Sequence, residues 1–384
     1  MTIPLRVLEV AEPADVLAQL DGVLAGDFAL LPVPSGTKPP TGVPATVDAA
    51  IGLVIHTSGS TGTPKSVALG REALIASAEA TAEALGGVGQ WVSVLPAHLV
   101  SGIHTLLRST LAGVQPVIGH RGSFSPAALL DDLDRATAER VYVSLVPAQL
   151  HRLIEHLEAT PADRFRAARF AALLVGGQGV PPAWLERAGR LGLPVVRSYG
   201  STETSGGCVY DGRGIGATVV RISDGEIQLS GPTLAREYLG DPAKTAASFL
   251  SDAHGRWYRT GDLGRLDDGV LTVLGRRDNV IISGGTNVAL DSVERVVRGL
   301  DGYAEAVVLG VDSAEWGQVP VVVVPESDVS SDLTQLRRTI TDALGRAAAP
   351  ARILRLPSIP ELPGGKPDRV LIADMIRNIP SDDA

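Results

Sequence analysis

Residues 51–70, IGLVIHTSGSTGTPKSVALG, are the stretch that most clearly indicates the fold of this chain. The apolar run IGLVIH has the length and composition of a buried β-strand, and the stretch ends where an amphipathic helical pattern, REALIASAEATAEALG, begins. The loop between them is dense in Gly, Ser and Thr. Glycines let backbone N–H groups turn toward an anion, and Lys65 adds a point charge, so the expected guest is a polyphosphate.

This loop differs from the Walker A phosphate-binding motif, G-x-x-x-x-G-K-[ST], because Pro64 occupies the position of the second glycine. Taken alone, a loop of this composition is equally consistent with a flexible surface turn. The full string is more specific than its composition. The candidate anion-binding residues are Thr57, Ser58, Gly59, Ser60, Thr61, Gly62, Thr63 and Lys65.

Short apolar runs recur along the chain. The runs WVSVLP, VYVSLVP, FAALLVGG and PVVRSYG are separated by amphipathic stretches, which favours βα units and, together with IGLVIH, a mostly parallel sheet. In such sheets ligands bind beyond the carboxyl ends of the strands, where three of the loops are rich in Gly, Ser or Thr. The segment LPVPSGTKPPTGVP is predicted to be an extended connector, and the residues before it to form at most a small strand and a helix.

Two changes of pattern predict further regions. From about Ser223, the segments GEIQLSG, WYRTGDLG and GVLTVLG indicate antiparallel strands. After Asp278 the order is a strand, the loop SGGTN, a helix near residues 290–300, the strands EAVVLGV and VPVVVVP, and a helix with apolar positions from Leu333 to Leu344. The predicted fold is α/β: a large N-terminal domain of layered mixed sheets and helices over residues 1–277, including the antiparallel subregion, and a small mobile α+β domain over residues 278–384.

Composition excludes several classes of protein. The 384 residues carry 34 Lys and Arg against 43 Asp and Glu, a net charge of −9, so no basic field attracts nucleic acid. Cys208 is the one cysteine, which excludes an internal disulfide and a Cys-based metal site. No apolar run approaches the roughly 20 residues of a membrane helix and no signal-peptide core is present, so a cytoplasmic protein without membrane insertion is expected. A homo-oligomer is left open.

Two further segments carry side chains suited to nucleotide chemistry. RSYGSTETSGG presents Tyr199, whose ring can stack on a base, with the Thr202 hydroxyl and Glu203, a hard ligand for Mg²⁺. YRTGDLG and LGRRD present Asp262 and Arg276, which can hold ribose hydroxyls and phosphate. Each of these residues is by itself also compatible with an ordinary loop carboxylate or a solvated turn charge.

The segment ELPGGKPDR places Lys366 between glycines and a proline. A lysine on such a loop could reach a distant site, although a plain surface loop has the same composition.

Taken in order, TSGSTGTPK, YGSTET, YRTGDLG, GRRDNVIISGGTNV and LPGGKPDR resemble the motifs of the adenylate-forming superfamily of acyl-CoA synthetases, adenylation domains and luciferases. The resemblance runs from about Ile51 to the C-terminus. It implies a small C-terminal domain that rotates about a hinge. It also implies a reaction in which ATP and Mg²⁺ activate a carboxylate as acyl-AMP before coenzyme A takes the acyl group.

The resemblance also implies roles by position. Residues 57–65 would hold the β- and γ-phosphates, and Asp278 would be the hinge. The adenine would be framed by Gly176, Gly177, Gln178 and Tyr199, the ribose would be held by Asp262 and Arg276, and Gly200 would also belong to the nucleotide site. The catalytic set would be Lys366, bridging the attacking carboxylate and the α-phosphate, with Thr202 and Glu203 serving phosphate and Mg²⁺. Ser283, Gly284 and Gly285 would lie on the coenzyme A side after rotation.

Within the superfamily, LPAHLVSGIHTLLRS, SLVPAQL, YGSTETSGGCVYDG and GVLTVLGRRD most resemble the short actinobacterial o-succinylbenzoate–CoA ligases of menaquinone biosynthesis. Their substrate bears a second carboxylate, for which Arg108 is the candidate partner, although a surface helix arginine fits its position equally well. The full acyl-pocket set is His98, Ser101, His104, Arg108 and Gly207. Two departures, Leu99 where relatives commonly have histidine and VALDSVE after the glycine loop, affect acyl and coenzyme A contacts more than adenylation.

Three functions are therefore considered. The first is o-succinylbenzoate–CoA ligase, with a small-molecule acid, ATP and coenzyme A as partners. The second is another aryl- or acyl-CoA ligase or a stand-alone adenylation enzyme. The third, a non-catalytic nucleotide-binding regulatory module, is disfavoured because Lys366 and Glu203 are both retained, and binding alone would not need the adenylation lysine.

Overall fold

The computed structural model describes residues 1–57, 65–120, 122–326, 332–362 and 366–377. Its strands are β1 (Thr2–Val10), β2 (Ala29–Pro34), β3 (Thr46–Asp48), β4 (Ile51–Thr57), β5 (Lys65–Gly70), β6 (Gln90–Ser93), β7 (Val117–Ile118), β8 (Val141–Leu145), β9 (Phe170–Gly176), β10 (Val195–Ser201), β11 (Gly206–Tyr210), β12 (Arg213–Gly214), β13 (Val219–Ser223), β14 (Glu226–Ser230), β15 (Glu237–Tyr238), β16 (Phe249–Asp252), β17 (Gly255–Asp267), β18 (Val270–Arg276), β19 (Val280–Ser283), β20 (Thr286–Ala289), β21 (Val307–Ser313), β22 (Gly317–Pro325) and β23 (Arg352–Leu356). Its α-helices are α1 (Pro13–Leu17), α2 (Leu20–Ala25), α3 (Arg71–Ala84), α4 (Val100–Leu111), α5 (Pro126–Asp134), α6 (Pro147–Ala159), α7 (Arg164–Ala167), α8 (Pro182–Arg190), α9 (Pro242–Ser248), α10 (Leu290–Arg298), α11 (Leu333–Leu344) and α12 (Arg369–Arg377).

The strands pair into four sheets. The first sheet has the order β15-β5-β4-β2-β1-β3, and the second has the order β12-β11-β10-β9-β8-β6-β7. The third sheet contains β13, β14, β16, β17 and β18, and the fourth contains β19 to β23. The predicted α/β class with layered mixed sheets and an antiparallel subregion is confirmed, because the third sheet is antiparallel throughout.

Helices α3 and α4 lie between the first and second sheets. Leu74 of α3 and Ile103 of α4 belong to the apolar cluster that covers the first sheet, whereas Ala80 of α3 packs with Trp91 and Tyr142 of the second sheet. A helix layer with apolar contacts on two sides buries surface against both sheets, which stabilises the sandwich. This layer carries the acyl-site candidates His104 and Arg108 on α4.

The prediction of one mostly parallel sheet is correct for four of the five apolar runs. Strands β6, β8, β9 and β10 pair in parallel. The run IGLVIH was assigned to the wrong sheet: it forms β4 of the first sheet and pairs antiparallel with β5. Its continuous apolar character comes from burial of both faces of the first sheet, with Leu53 on one side and Val54 on the other. Burial on two faces produces such a run whatever the direction of pairing, and β4 itself pairs in parallel with β2 on its other side.

The prediction for the N-terminal residues was wrong. The chain before residue 35 forms two parallel strands, β1 and β2, joined by the two short helices α1 and α2. The connector prediction failed at the same place, because its first residues belong to β2, a buried strand between β1 and β4. Pro32 and Pro34 obscured this strand, since proline is typical of sheet edges and loops.

The segment after Asp278 follows its predicted order of elements. Strands β19 and β20 flank the glycine turn, α10 follows, and β21, β22 and α11 come next. The apolar core on one face of the fourth sheet includes Val293 of α10 and Ile340 of α11. No helix among the described residues is long and apolar enough to cross a membrane.

Candidate active site

Strand pairing brings Lys65 to the end of β4. Lys65 opens β5 opposite Thr57, the last residue of β4, so the hairpin holds the two residues side by side. The Lys65 amine forms an ion pair with Glu203, which is only 3% exposed and lies in a 3₁₀ turn after β10. The Thr57 hydroxyl is buried without a hydrogen-bond partner among the described residues. A free hydroxyl donor beside an ammonium group is a suitable environment for a phosphate oxygen.

Tyr238 is the third member of this polar group. Its hydroxyl donates to Glu203 Oε1 at 2.8 Å, and the Lys65 amine lies 5.0 Å from the centre of its ring. Burial alone would raise the pKa of Glu203, but the charge and hydrogen bond of Lys65 and the hydrogen bond from Tyr238 outweigh burial and lower it. Glu203 is therefore held as a carboxylate.

Asp262 and Tyr199 meet at the edge of the third sheet. The Tyr199 hydroxyl donates to Asp262 Oδ2 at 2.7 Å, and Arg276 Nη1 lies 3.4 Å from Asp262 Oδ1. Asp262 and Arg276 face each other across β17 and β18. Burial raises the pKa of Asp262, although Tyr199 and Arg276 oppose the shift. Asp278, the predicted hinge, accepts a hydrogen bond from Arg276 Nε at 3.1 Å and lies between the third and fourth sheets.

Lys366 belongs to the C-terminal part of the chain, the name used here for the described residues from Asp278 onward. Its side chain contacts the loop after β9. A Cβ atom placed on Gly177 would lie 3.4 Å from Lys366 Cε, and Gly177 has a φ of +87°. Although the residue as a whole is exposed, desolvation of its amine end lowers the pKa of Lys366; Asp262 opposes the shift and Arg276 adds to it. We use the name cleft for the part of the site formed by Lys65, Gly177, Glu203, Asp262 and Lys366.

Glycines allow β10 and β11 to pair closely where β10 ends and β11 begins. A Cβ on Gly200 would lie 2.2 Å from the Gly206 carbonyl oxygen, and one on Gly207 would lie 1.9 Å from Ser198 Oγ. The pairing register of β10 and β11 shifts between Tyr199 and Gly200. A side chain at Gly200 would force the strands apart because the obstacle is a backbone carbonyl, whereas one at Gly207 would first displace the Ser198 hydroxyl.

Helix α4 places His104 and Arg108 one turn apart. His104 is 1% exposed, and neither ring nitrogen has a hydrogen-bond partner among the described residues. Its ring lies about 3.5 Å from the position that a Cβ on Gly206 would occupy. Burial lowers the pKa of His104 well below its ordinary value, and the Arg108 charge lowers it further. His104 is therefore a neutral imidazole with unused hydrogen-bonding capacity.

Arg108 is a buried cation without an acidic partner. It is 7% exposed, its Nε has no hydrogen-bond partner, and no carboxylate of the described residues pairs with it. Its guanidinium carbon lies 4.8 Å from the Trp91 ring centre, which is a cation–π contact. Burial lowers the pKa of Arg108, and Tyr210 partly offsets the shift. Arg108 also lines a cavity of about 380 Å³ between α3 and α4, whose lining does not include the other predicted acyl-pocket residues His98, Ser101, His104 and Gly207. A buried unpaired guanidinium next to open space is suited to an anionic guest.

Other predicted positions lie farther from this polar network. His98 is half-buried in the loop before α4, Ser101 is exposed in its first turn, and Leu99 is its N-cap residue. The contacts of Ser283 and Gly284 are with Gly317 and Trp316 of the C-terminal part rather than with the cleft. Gly285 completes that turn. The predicted phosphate-binding residues Ser58, Gly59, Ser60, Thr61, Gly62 and Thr63 lie outside the described residues.

The donor set fits a magnesium nucleotide better than a metal site made by protein alone. Among the described residues no group of three His, Cys, Asp or Glu side chains could hold an ion. Glu203 offers one fixed carboxylate, whose Oε2 has no side-chain partner in the part of the chain that the structure describes. Mg²⁺ characteristically takes one or two carboxylates and completes its shell with phosphates and water.

Four residues of this site were missed by sequence reasoning. Tyr238 orients Glu203, Trp91 and Tyr210 contact Arg108, and Arg298 contacts Gln178. Three of them lie outside the family motifs, while Tyr210 lies within YGSTETSGGCVYDG but had no role assigned to it; all four are brought in by tertiary packing. From the sequence alone, an aromatic residue in a short strand such as β15 indicates a core position and nothing about the active site.

The fold and the cleft define the class of protein. The family model of the AMP-binding enzyme matches residues 11–239, and that of the AMP-binding enzyme C-terminal domain matches residues 292–366. The chain therefore belongs to the AMP-binding enzyme family, and the predicted superfamily is confirmed.

Two curated relatives share a more particular name. The chain is 36% identical over 368 residues to the probable 2-succinylbenzoate–CoA ligase of Mycobacterium tuberculosis, covering 93% of this chain and 94% of the relative. It is 32% identical over 357 residues to the 2-succinylbenzoate–CoA ligase of Geobacillus kaustophilus, covering 86% of this chain and 70% of the relative.

A solved structure is similar over nearly the whole chain. It is o-succinylbenzoate CoA synthetase from Bacillus subtilis in complex with the acyl-adenylate intermediate OSB-AMP. The sequence identity is 26% and the TM-score 0.75, with 96% of this chain and 82% of that chain covered.

Proposed function

We propose that the protein is a 2-succinylbenzoate–CoA ligase. It would activate the succinyl carboxylate with MgATP, release pyrophosphate, and transfer the acyl group from AMP to coenzyme A. The observation that carries the choice of acid is Arg108: a buried guanidinium that has no acidic partner in the part of the chain that the structure describes, one helical turn from a buried neutral imidazole. A monocarboxylic acid would leave this cation unpaired, whereas the aromatic carboxylate of succinylbenzoate would pair with it.

In the proposed adenylation step, a carboxylate oxygen of the acid attacks the α-phosphorus in line and the bond to the pyrophosphate oxygen breaks. Charge increases on the oxygens of the reacting phosphoryl group in such steps. Lys366, which lies against Gly177, would stabilise that charge at the α-phosphate. Lys65 and the free Thr57 hydroxyl would bind the β- and γ-phosphates, and Asp262 would hold the ribose. Mg²⁺ bound at Glu203 would neutralise phosphate charge.

In the proposed second step, the thiol of coenzyme A loses its proton to solvent, its sulfur attacks the acyl carbon, and the bond to the phosphate oxygen breaks so that AMP leaves as an anion. The protein needs no covalent nucleophile for this reaction. Cys208 is 1% exposed and burial raises its pKa to about 12, so its thiol is unsuited to be one. His104 would provide a neutral hydrogen-bond partner beside the acyl group.

The test is pyrophosphate release measured across a panel of acids, with and without coenzyme A. The decisive pair is 2-succinylbenzoate and 4-oxo-4-phenylbutanoate, which differ only by the aromatic carboxylate. We expect a kcat/KM preference of roughly 10- to 100-fold for the diacid, since a hydrogen-bonded charged group contributes about 1.5–3 kcal/mol. Equal rates for the pair, or a faster unrelated acid, would assign the enzyme to another acid–CoA ligation. Pyrophosphate release from no acid would indicate a nucleotide-binding module.

A further inference from the structure

Three cations of the C-terminal part contact three successive residues of the loop after β9. Lys366 lies against Gly177, Arg298 donates from Nη1 to Gln178 Oε1 at 3.1 Å, and the Arg295 side chain lies about 3.1 Å from the Cβ position of Gly179. This loop contains the residues that the sequence assigned to adenine. The C-terminal part therefore touches the predicted adenine loop at three consecutive positions, and only Lys366 has a chemical role assigned to it.

Arg298 is the most enclosed of the three. It ends α10, is 6% exposed, and its guanidinium carbon lies 5.3 Å from the ring centre of Trp184, which is 3% exposed in α8. On its own side, Nε donates to the Ala304 carbonyl oxygen at 2.9 Å. The guanidinium thus joins a carbonyl of the C-terminal part to an amide and an indole of the N-terminal part.

The partners of Arg298 are neutral. Among the described residues no carboxylate lies within ion-pair distance, and burial lowers the pKa of Arg298 while Glu294 opposes the shift. Placing a cation at a buried seam against an amide, a carbonyl and an aromatic face costs desolvation, so the arrangement is a poor source of stability. The planar guanidinium instead fixes the relative position of its partners, because its N–H groups hold two acceptors in one plane.

The Gln178 amide is oriented by this contact. With Oε1 accepting from Arg298, the Nε2 group has its two N–H donors directed elsewhere. Gln178 also follows directly on Gly177, against which Lys366 packs. Loss of the Arg298 contact would free the Gln178 amide. It would also weaken the contact between the C-terminal part and the loop after β9 that holds Lys366 at the cleft.

We propose that Arg298 is a positioning residue for adenylation: it holds the C-terminal part against the adenine loop in the arrangement that brings Lys366 to the cleft. This proposal rests on the proposed function, because that function defines the two half-reactions that are compared. The same contacts would have to separate when the C-terminal part turns for thioester formation, so Arg298 supports the first half-reaction and not the second.

The kinetic test compares Arg298→Met, which keeps side-chain length without the fork, with Arg298→Lys and the control Arg377→Met, whose side chain is 73% exposed. For Arg298→Met we expect kcat/KM of pyrophosphate release to fall roughly 10- to 100-fold, since small misplacements of a catalytic group have effects of that size. Acyl transfer from supplied acyl-AMP should stay within about twofold, and Arg298→Lys should be intermediate. Equal losses in both half-reactions, or no loss, would overturn the proposal.

A distance measurement keeps the inference independent of the substrate. Cys208 is buried, so spin labels attach to cysteines introduced at Phe165 and Val370, which are 86% and 66% exposed and lie on α7 and α12. Arg298→Met should broaden the distance distribution between the labels or add a second population, whereas Arg377→Met should leave it unchanged. An unchanged distribution in Arg298→Met would refute the positioning role even if another acid proved to be the substrate.

Discussion

Arg108 and Glu203 are both buried charges, but their surroundings differ. Glu203 has a cation and a phenol within hydrogen-bond distance, whereas Arg108 has an indole face, the Tyr210 phenol and a cavity, and no carboxylate of the described residues pairs with it. Removing one partner of a buried pair is costly, because the remaining charge loses both water and its counter-ion. A buried charge that has no counter-ion among the described residues is instead suited to receive one from a ligand. The two residues therefore lead to different predictions.

For Arg108, we predict that Arg108→Met lowers kcat/KM for 2-succinylbenzoate by roughly 10- to 100-fold, because a charge-assisted hydrogen bond is lost. Turnover of 4-oxo-4-phenylbutanoate should change by less than about threefold. The measurement is steady-state pyrophosphate release with each acid. Thermal unfolding should show no loss of stability, since the variant removes an unpaired buried cation. A uniform loss with both acids would mean that Arg108 shapes the pocket rather than binding a carboxylate.

For the Lys65–Glu203 pair, we predict that Lys65→Met destabilises the protein by about 3–5 kcal/mol at pH 7.5, because Glu203 is left buried without its cation. In the native protein the lowered pKa of Glu203 stabilises the fold above the ordinary carboxyl pKa, and this contribution is lost as pH falls. In Lys65→Met burial dominates and raises that pKa, so acid relieves the penalty.

The difference in urea midpoint between wild type and Lys65→Met should therefore shrink between pH 7.5 and pH 5. Lys65→Met combined with Glu203→Gln should recover much of the loss at pH 7.5, since no buried charge remains. A difference that stays constant with pH would show that the two side chains do not form an ion pair in solution.

At the scale of elements, the antiparallel pairing of β10 with β11 sets the position of Tyr199 and Glu203. We predict that Gly200→Ala destabilises the protein by at least about 1–3 kcal/mol, because its Cβ would lie 2.2 Å from a backbone oxygen and the strand must move. The matched control is Gly189→Ala near the end of α8, where nothing lies within 4 Å of the added atom. Alanine there should be neutral or stabilising by about 0.5–1 kcal/mol. Thermal unfolding of both variants tests the steric argument, and equal midpoints would contradict it.

At the scale of the whole molecule, Lys366 joins the C-terminal part to a site built by the first three sheets. We predict that Lys366→Ala slows acyl-AMP formation by roughly 100-fold or more, the range for losing one preorganised charge donor. Lys366→Arg should fail as well, because a planar fork does not replace a compact ammonium group in a crowded cleft. Conversion of supplied acyl-AMP to acyl-CoA should stay within about threefold.

Two assays separate the half-reactions: single-turnover pyrophosphate release without coenzyme A, and thioester formation from acyl-AMP. Lys38→Arg is the control, since Lys38 is exposed in the loop after β2. Parallel losses in both assays would remove Lys366 from the adenylation step.

Local sequence was sufficient for much of this protein. The α/β class, the antiparallel third sheet and the order of elements after Asp278 follow from periodicity and turn residues, which act over a few neighbouring positions. The ordered motifs identified the family in the same way, because residues that surround one ligand must recur in fixed order. Lys65, Glu203, Asp262 and Lys366 could be named from their motifs alone.

Tertiary structure decided what those signals leave open. An apolar run such as β4 looks the same in any sheet that is buried on both faces, so its sheet and pairing direction depend on distant strands. Arg108 is contacted from β6 and β11, and Gln178 is contacted from α10, so neither set of contacts is local in sequence. Whether Arg108 is a surface arginine or a buried unpaired cation depends on how α4 packs between two sheets. Burial and charge pairing are properties of the folded molecule. They are the reason that a diacid site is proposed at Arg108, which the motif residues alone do not indicate.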